Sequence, residues 1–523
     1  MATTLAYGTV ILFIATILNR GMAFYNQIAL MKYVGAESIG LFQMVYPMYL
    51  FFLVVATAGL PFALTKRIAE ESAHSQWGNV RRLMKVSTLV MATCGVLVTM
   101  GAVLIIPYLF PTWIVDVRAE AALWALLPSI LIVCASSAVR SLCQGLQSME
   151  PSAFGSLAEQ VVRIASGLWL ALWLLPRGPA WAAAGIALGI TFGEFMGLIV
   201  ITLLSGPFLF QRLAAFWRGF RMPTSLSHRA AWCTLWPLAY PIALSRMVLC
   251  LMFAVDAVLI PRVLQESGLT QAEATSAFGR FNGAAAPLIS IPTVFTIPLS
   301  ISLIPSISEN YVLNQMETVK HRTLKAIRFT AIIGWPMVIM LFLLGDELCR
   351  RIFGITDLGS ALSILAFGAL FLYIQQTTTS ILQGIGRVLF PLAVTTVAFF
   401  LRIFIFIYVA SLPQFRLDGI AWAYTVSNGI TAILHLLWFR YRLHWSWKAL
   451  LPAVTPALGA VAFIIVFFLS STFFSSNSLV SLMASCLLGL LAYLLMLPWL
   501  GCLSIDDLRS FPGYHRFRKY FPF

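Results

Sequence analysis

Long apolar runs alternate with short polar segments along the whole chain. The runs have the length a helix needs to cross the hydrocarbon core of a bilayer, about 20 residues. Fourteen such spans are expected, at roughly 5–31, 39–64, 84–108, 119–146, 154–176, 182–206, 231–261, 282–308, 327–346, 360–385, 388–412, 418–440, 452–471 and 478–500. The first lies in "MATTLAYGTVILFIATILNRGMAF", which has neither a basic start nor a small-residue cleavage site, and reads as a retained span rather than a signal peptide. The eighth breaks the pattern. "AFGRFNGAAAPLISIPTVFTIPLSISLIPSISEN" (277–310) is as apolar as the others, yet it holds Pro287, Pro292, Pro298 and Pro305. Each interior proline removes a helix hydrogen bond and clashes with the preceding turn. Irregular backbone at membrane depth is tolerated only where it is buried in protein or lines a wet cavity. The four prolines are therefore expected to be hinges in a cavity-lining helix that bends between two states.

Composition agrees with the pattern. Of the 523 residues 60% are hydrophobic and only 10% are charged, against about 25% in soluble proteins. The net charge of +15 would suggest nucleic acid in a soluble chain, so its placement decides its meaning. Of the 34 Lys and Arg, 21 fall in one alternate set of connecting segments and the tail, and 8 in the other. The positive-inside rule then places both termini in the cytoplasm, and most of the charge is an orientation signal on the anionic inner leaflet. The eight cysteines form no C-x-x-C pair, and the six histidines make no ligand spacing with them, so no metal and no cofactor are expected. No Walker, H-E-x-x-H or G-x-S-x-G motif is present. The chain reads as a non-enzyme without a nucleotide site, leaving ion coupling (H+ or Na+) or downhill movement.

One offset recurs without gaps. At a spacing of 239, Gly40 matches Gly279, Phe42 matches Phe281, Glu70 matches Glu309, Gln144-Gly145 matches Gln383-Gly384 and Arg163 matches Arg402. The copies begin at spans 1 and 7, an even number apart, so the repeat is parallel. The expected fold is an all-α integral membrane protein of 14 transmembrane helices. It comprises a first lobe (1–206), a cytoplasmic linker (207–230), a second six-helix lobe (231–440), two appended helices (441–503) and a basic cytoplasmic tail (504–523). Two such lobes, rocking against each other, open a central cavity to each side in turn.

A charge at bilayer depth costs at least about 2.5 kcal/mol on insertion scales, so such residues face a protein interior or water. The candidates are Arg20 in span 1, Arg140 in span 4, Glu159 and Arg163 in span 5, Glu194 in span 6, Arg246 and Asp256 in span 7 and Arg402 in span 11. Arg280 stands at the outer end of span 8. Glu159 and Arg163, four apart with the acid first, share a helix face and read as an internal ion pair that locks one lobe. Arg402 has Ala398 where its repeat counterpart has the acid, leaving it to snorkel or to pair across helices. Asp256 either has a structural role, such as pairing with Arg262, or serves a proton or cation. Arg140 and Glu194 are assigned to the same coupling or structural class. Arg20, Arg280 and Arg246 are read together as a basic cavity, because guanidinium grips phosphate with a bidentate fork. Separate satisfaction of each by backbone carbonyls is the alternative.

Two stretches carry a resemblance. Gly279, Asn282-Gly283, Pro287-Leu288, Pro292 and Pro298, closing on "SLIPSISE", form one; "VRSLCQGLQSMEPSAFGSLAEQVVRI" (139–164) forms the other. Both resemble the stage V sporulation protein B group of polysaccharide transporters, within the multidrug/oligosaccharidyl-lipid/polysaccharide exporter superfamily. The lipid II flippases are a sister branch. The resemblance spans essentially the whole chain and implies a two-lobed alternating-access protein that moves undecaprenyl-pyrophosphate-linked sugars outward. It also implies that Arg20 and Arg280 match cavity arginines needed by the lipid II flippases. A further first-span arginine of that branch falls near Asn26 here, and its neighbouring aspartate near Leu41, so the chain departs from the branch at both. Glu159 and Arg163 fall in the group's E-Q-x-x-R motif.

The expected function is a flippase for a lipid-linked oligosaccharide, such as a peptidoglycan precursor for spore cortex. Its partners would be that substrate, membrane lipid, a coupling cation and cell-wall synthesis proteins, with no nucleic acid. Two rivals stand beside it. One is a drug or cation antiporter of the same fold, with Asp256, Glu159 or Glu194 as coupling acids. The other is a non-transporting scaffold of a wall-synthesis complex.

Overall fold

A backbone that crosses lipid must satisfy its own N–H and C=O groups, which leaves the helix as the only element an isolated apolar run can adopt. The computed structural model describes residues 2–219, 226–387, 389–473 and 479–502, without the side chains of 2–10, 109, 111–112, 207–219, 297–306 and 479–480. Residues 220–225 of the 207–230 linker and the whole 504–523 tail lie outside the described residues, as do the side chains of 207–219, Pro298 and Pro305. Helices in the first half are α1 (Ala2–Tyr33), α2 (Ala36–Thr57), α3 (Leu60–Ala73), α4 (Trp77–Trp113), α5 (Glu120–Gly145), α6 (Glu150–Leu174), α7 (Pro179–Gly219), α8 (His228–Glu266) and α9 (Gln271–Arg280). In the second half they are α10 (Ala286–Ser290), α11 (Thr293–Val312), α12 (Met316–Leu348), α13 (Gly359–Gly384), α14 (Leu389–Ile405), α15 (Arg416–Leu443), α16 (Leu451–Val454), α17 (Pro456–Phe473) and α18 (Leu479–Trp499). No strand occurs among the described residues. Among them, 12 helical stretches are long and apolar enough to cross a membrane. The other two expected spans, 5–31 and 282–308, run partly through residues whose side chains are not described.

The chain divides into two compact units, Met1–Ala284 and Ala285–Phe523. The boundary falls inside the proline-rich span. That span is a broken helix rather than the continuous one expected over 282–308. After α9 the backbone widens into a π-helical turn, Phe281–Ala285, re-forms as α10 with Pro287 in its first turn, and breaks again before α11, whose N-cap is Pro292. Pro298 and Pro305 lie within α11. The carbonyls around the break find side-chain donors: Tyr373 Oη donates to Ile289 O at 2.6 Å, Ser290 Oγ to Pro287 O at 2.8 Å and Thr293 Oγ1 to Ser290 O at 2.5 Å. Tyr373, on α13, is fully buried. Prolines are tolerated in spanning helices where neighbours re-satisfy the freed groups in this way.

Helix boundaries recur at the 239-residue offset. α5 and α13 start at 120 and 359 and end at 145 and 384; α3 and α11 end at 73 and 312; α4 and α12 start at 77 and 316; α6 and α14 start at 150 and 389. Ser75 and Asn314, also 239 apart, both take left-handed backbone at φ 57.

Within the first unit, α2 and α9 cross at backbone contact. A Cβ built on Gly279 would meet the carbonyl of Ala36, and one on Gly40 would meet the carbonyl of Thr275. Both glycines and both partner residues are related by the same offset. Lipid supplies no hydrophobic drive between helices, so association rests on close packing, which small residues permit. A Cα–H facing a carbonyl also adds a weak attraction. The crossing is held by a buried acid that the sequence reading did not single out. Asp116, fully buried in the α4–α5 connection, accepts from Arg118 Nε at 2.9 Å, Arg118 Nη2 at 2.7 Å and Thr275 Oγ1 at 3.0 Å. Arg118 Nη1 in turn reaches Glu37, in the first turn of α2, at 2.7 Å. Gln271 Nε2 donates to Val115 O at 3.1 Å. One short connection thus ties α2 to α9, and a capping box of Thr270 and Glu273 fixes where α9 begins.

In the second unit, α11, α12, α13 and α15 share a core that includes Ile307, Ile327, Ile381 and Phe439. Polar seams inside it are closed by Thr330 with Thr377 at 2.7 Å and Thr378 with His435 Nδ1 at 2.9 Å. α17 and α18 pack on each other and on α12, where Tyr493 Oη donates to Ile332 O at 2.8 Å.

A side chain at the crossing must push two backbones apart. Gly279→Val should lower the thermal midpoint in detergent by the equivalent of about 1–3 kcal/mol, the usual cost of overpacking. Gly21→Ala, where a Cβ would meet nothing within 4 Å, should leave the midpoint unchanged or slightly raised. Equal midpoints for the two variants would contradict the crossing.

Candidate functional site

Glycine spacing on α7 builds the charged centre of the first unit. Gly185, Gly189, Gly193 and Gly197 recur every four residues, and each faces one residue of α6 at the same spacing: Ala171, Gly167, Arg163 and Glu159 in turn. A Cβ on Gly193 would stand 2.8 Å from both Arg163 Cβ and Glu159 O, closer than real Cβ atoms approach. The ladder lets α6 and α7 lie backbone to backbone, which small residues at four-residue spacing favour in membranes. It was present in the sequence and passed over, because glycine carries no charge to draw attention.

This approach collects four of the expected intramembrane charges. Arg163 Nη2 meets Glu159 Oε1, as the i,i+4 spacing anticipates, and also meets Glu194 Oε1 on α7 at 3.0 Å. Arg140 Nη2, on α5, meets Glu159 Oε2 at 3.2 Å. The two glutamate side chains are only 12% and 15% exposed. Two carboxylates and two guanidiniums therefore form one neutral network across three helices.

The other candidates lie apart from this network in the chain. Arg20 is exposed on α1, and Arg246 is exposed on α8. Asp256, also on α8, is buried at 3% exposure. Arg262, considered above as its partner, meets Glu266 one turn along at 3.5 Å. Arg280 is the last residue of α9, half-buried, immediately before the π-helical turn. In the second unit Arg402 is buried on α14, with its guanidinium 4.6 Å from the Tyr424 ring centre and 5.2 Å from that of Phe399. The rings supply what Ala398 does not, since aromatic faces attract cations. Asn26, Gln27, Gln43 and Gln160, uncharged and unremarked in the sequence, line a cavity beside Arg163.

Removing one partner from a buried ion network leaves the others uncompensated, at a cost of about 3–5 kcal/mol. Glu159 bridges two arginines and Glu194 meets one. Glu159→Ala should therefore depress the thermal midpoint more than Glu194→Ala. A double-mutant cycle between Glu194 and Arg163 should show coupling above about 0.5 kcal/mol. A cycle that closes without coupling would show that the network is not formed.

Two family descriptions match the chain: "Polysaccharide biosynthesis protein" over residues 5–311 and "MatE" over residues 241–409. Stage V sporulation protein B of Bacillus subtilis (strain 168) is 25% identical over 513 residues, covering 97% of this chain and 98% of that protein. The lipid II flippase MurJ of the same organism is 24% identical over 560 residues, covering 99% of each. Among solved structures, an inward-facing multidrug resistance MATE family transporter of the MOP superfamily superposes with a TM-score of 0.67 at 17% identity, over 81% of this chain and 94% of its own. Lipid II flippase MurJ in an inward closed conformation superposes with a TM-score of 0.64 at 17% identity, over 93% and 97%. The two superpositions show that the chain shares the fold of these transporters, and since the first description covers more than half of its residues, the chain belongs to the polysaccharide biosynthesis protein family.

Proposed function

We propose that the chain is an alternating-access flippase that carries a lipid-linked oligosaccharide on a prenyl pyrophosphate from the inner to the outer leaflet of the cell membrane. The charge balance at bilayer depth carries this reading. Six arginines (20, 140, 163, 246, 280, 402) stand against three acids (159, 194, 256). Both glutamates are matched by Arg140 and Arg163, and Arg402 sits over aromatic rings. By count that is a surplus of three arginines over the acids, suited to pyrophosphate and hostile to cations. Full-length similarity to a lipid II flippase supports a peptidoglycan precursor as the cargo, and similarity to a stage V sporulation protein supports the spore cortex as its destination. On this reading the chain is a transporter and not an enzyme.

Two six-helix lobes, 1–206 and 231–440, are supported by the boundaries that recur at 239 residues. Fourteen spans follow if α1 and the broken proline-rich helix are added to the twelve. The basic bias of alternate segments supports cytoplasmic termini. Asp256 is the acid we assign to a coupling H+ or Na+. Cell-wall synthesis proteins are the partners we assign to the outer product. Of the three acids a cation antiporter could use, Glu159 and Glu194 are engaged in ion pairs, which leaves Asp256.

Arg280→Ala should abolish flipping of a lipid-linked oligosaccharide in proteoliposomes, with the amount of chain in the membrane unchanged, and Arg280→Lys should restore only part of it, since lysine lacks the bidentate fork. Wild-type rates in Arg280→Ala would sink the assignment of Arg280 to the pyrophosphate, and no flipping by the wild-type chain would favour a scaffold.

A further inference from the structure

A cavity of about 170 Å³ lies wholly within the first unit, between α1, α2, α6 and α7. Its lining follows helical spacing: Asn26 and Gln27 on α1, Gln43 and Tyr46 on α2, Gln160 and Arg163 on α6. Four of these six side chains are carboxamides and a fifth is the neutral phenol of Tyr46; the single charge is Arg163, already balanced by Glu159 and Glu194. The walls therefore offer little net attraction to an anion or a cation. They offer hydrogen bonds in both directions, because each carboxamide has a donor end and an acceptor end. Some of these are unused among the described residues. Asn26 Oδ1, Gln27 Nε2 and Arg163 Nε are buried and make no hydrogen bond. Buried polar atoms are rarely left so, and the usual remedy is water or a ligand. Beside them Phe42 and Tyr46 form an aromatic wall, ring centres 5.3 Å apart.

From this we infer that the cavity is a saccharide subsite: it holds one uncharged sugar unit of the cargo through hydroxyl and amide groups, with the apolar face of the ring against Phe42 and Tyr46. Its volume suits a single pyranose. The position relative to the phosphate end agrees. Arg20 and Gln27 are seven residues apart on α1, hence on one face and about 10 Å apart along the axis. A pyrophosphate at Arg20 leaves the attached sugar one to two turns further along that face. Gln27 Nε2 is also 3.1 Å from where a Cβ on Gly283 would stand, one turn beyond Arg280, so α1 and the proline-rich segment meet at the subsite.

The inference rests on the flippase reading, and the test separates the two. Purified full-length chain in nanodiscs is titrated with two probes, bare prenyl pyrophosphate and prenyl-pyrophosphate-linked N-acetylhexosamine. Wild type should bind both, the glycosylated lipid more tightly. Gln43→Leu and Asn26→Leu should each weaken the glycosylated lipid roughly five- to tenfold, the effect of one or two lost hydrogen bonds, and leave the bare lipid as in wild type. The bare lipid thus reports that each variant is folded. Unchanged binding of both lipids by both variants would mean that the cavity holds only water, and equal weakening of both lipids would mean a structural role; either overturns the subsite alone. Failure of wild type to bind either lipid would overturn the flippase reading and the subsite with it.

Discussion

Helices in a bilayer gain nothing by hiding apolar surface from one another, because lipid tails are as apolar as leucine. Contact must come from fit, and in the first unit the fit is made by glycine. Two interfaces depend on it. On α7, four glycines at four-residue spacing bring the backbone of α6 close enough for Arg163 to reach across to Glu194. At the α2–α9 crossing, Gly40 and Gly279 bring two backbones to carbonyl contact, and the buried Asp116 clamps the junction through Thr275 and Arg118. α2 takes part in the crossing and also carries Gln43 and Tyr46 into the amide-lined cavity. α9 ends on Arg280. The residues to which we assign cargo recognition are therefore placed by the glycine contacts, though none of those glycines touches cargo.

Charge is sorted by the same packing. An ion pair at membrane depth is costly to leave half-made, and the α5–α6–α7 network closes on itself with two acids and two arginines. Neutralising that region separates two chemistries along the first unit. Arg20, Arg246 and Arg280, to which we assign the anionic pyrophosphate, stand on α1, α8 and α9. Uncharged amides stand between α1, α2, α6 and α7, where a sugar suits them. A cargo with a charged end and a neutral end needs both.

Much of this was legible in the chain. Span positions, the all-helical class, the Glu159–Arg163 pair and the anomaly of the proline-rich span all follow from local rules: run length, the i,i+4 spacing and the missing proline N–H. What was not legible depends on contacts across helices. Nothing near Arg140 or Glu194 in sequence says that both join the Glu159 network. Asp116 lies in a short connection with nothing in the sequence to mark it, and only the fold buries it. Arg402 lacked its acid, and the rings that replace it lie on α14 one turn away and on α15. The broken helix was anticipated as a bend, but its location, with Tyr373 of α13 capping the Ile289 carbonyl, required the tertiary structure. The glycine ladder and the carboxamides were visible and carried signal; both were overshadowed by charge.

The central claim is that an anionic, sugar-bearing lipid crosses the membrane through this chain. It is tested most directly by reconstituting the purified chain in liposomes that contain a fluorescent prenyl-pyrophosphate-linked oligosaccharide in one leaflet, and following its appearance in the other beside a fluorescent cationic amphiphile. The account predicts exchange of the lipid-linked sugar well above that of protein-free liposomes, with no acceleration of the cation. Movement of the cation alone, or of neither probe under any imposed H+ or Na+ gradient, would contradict it.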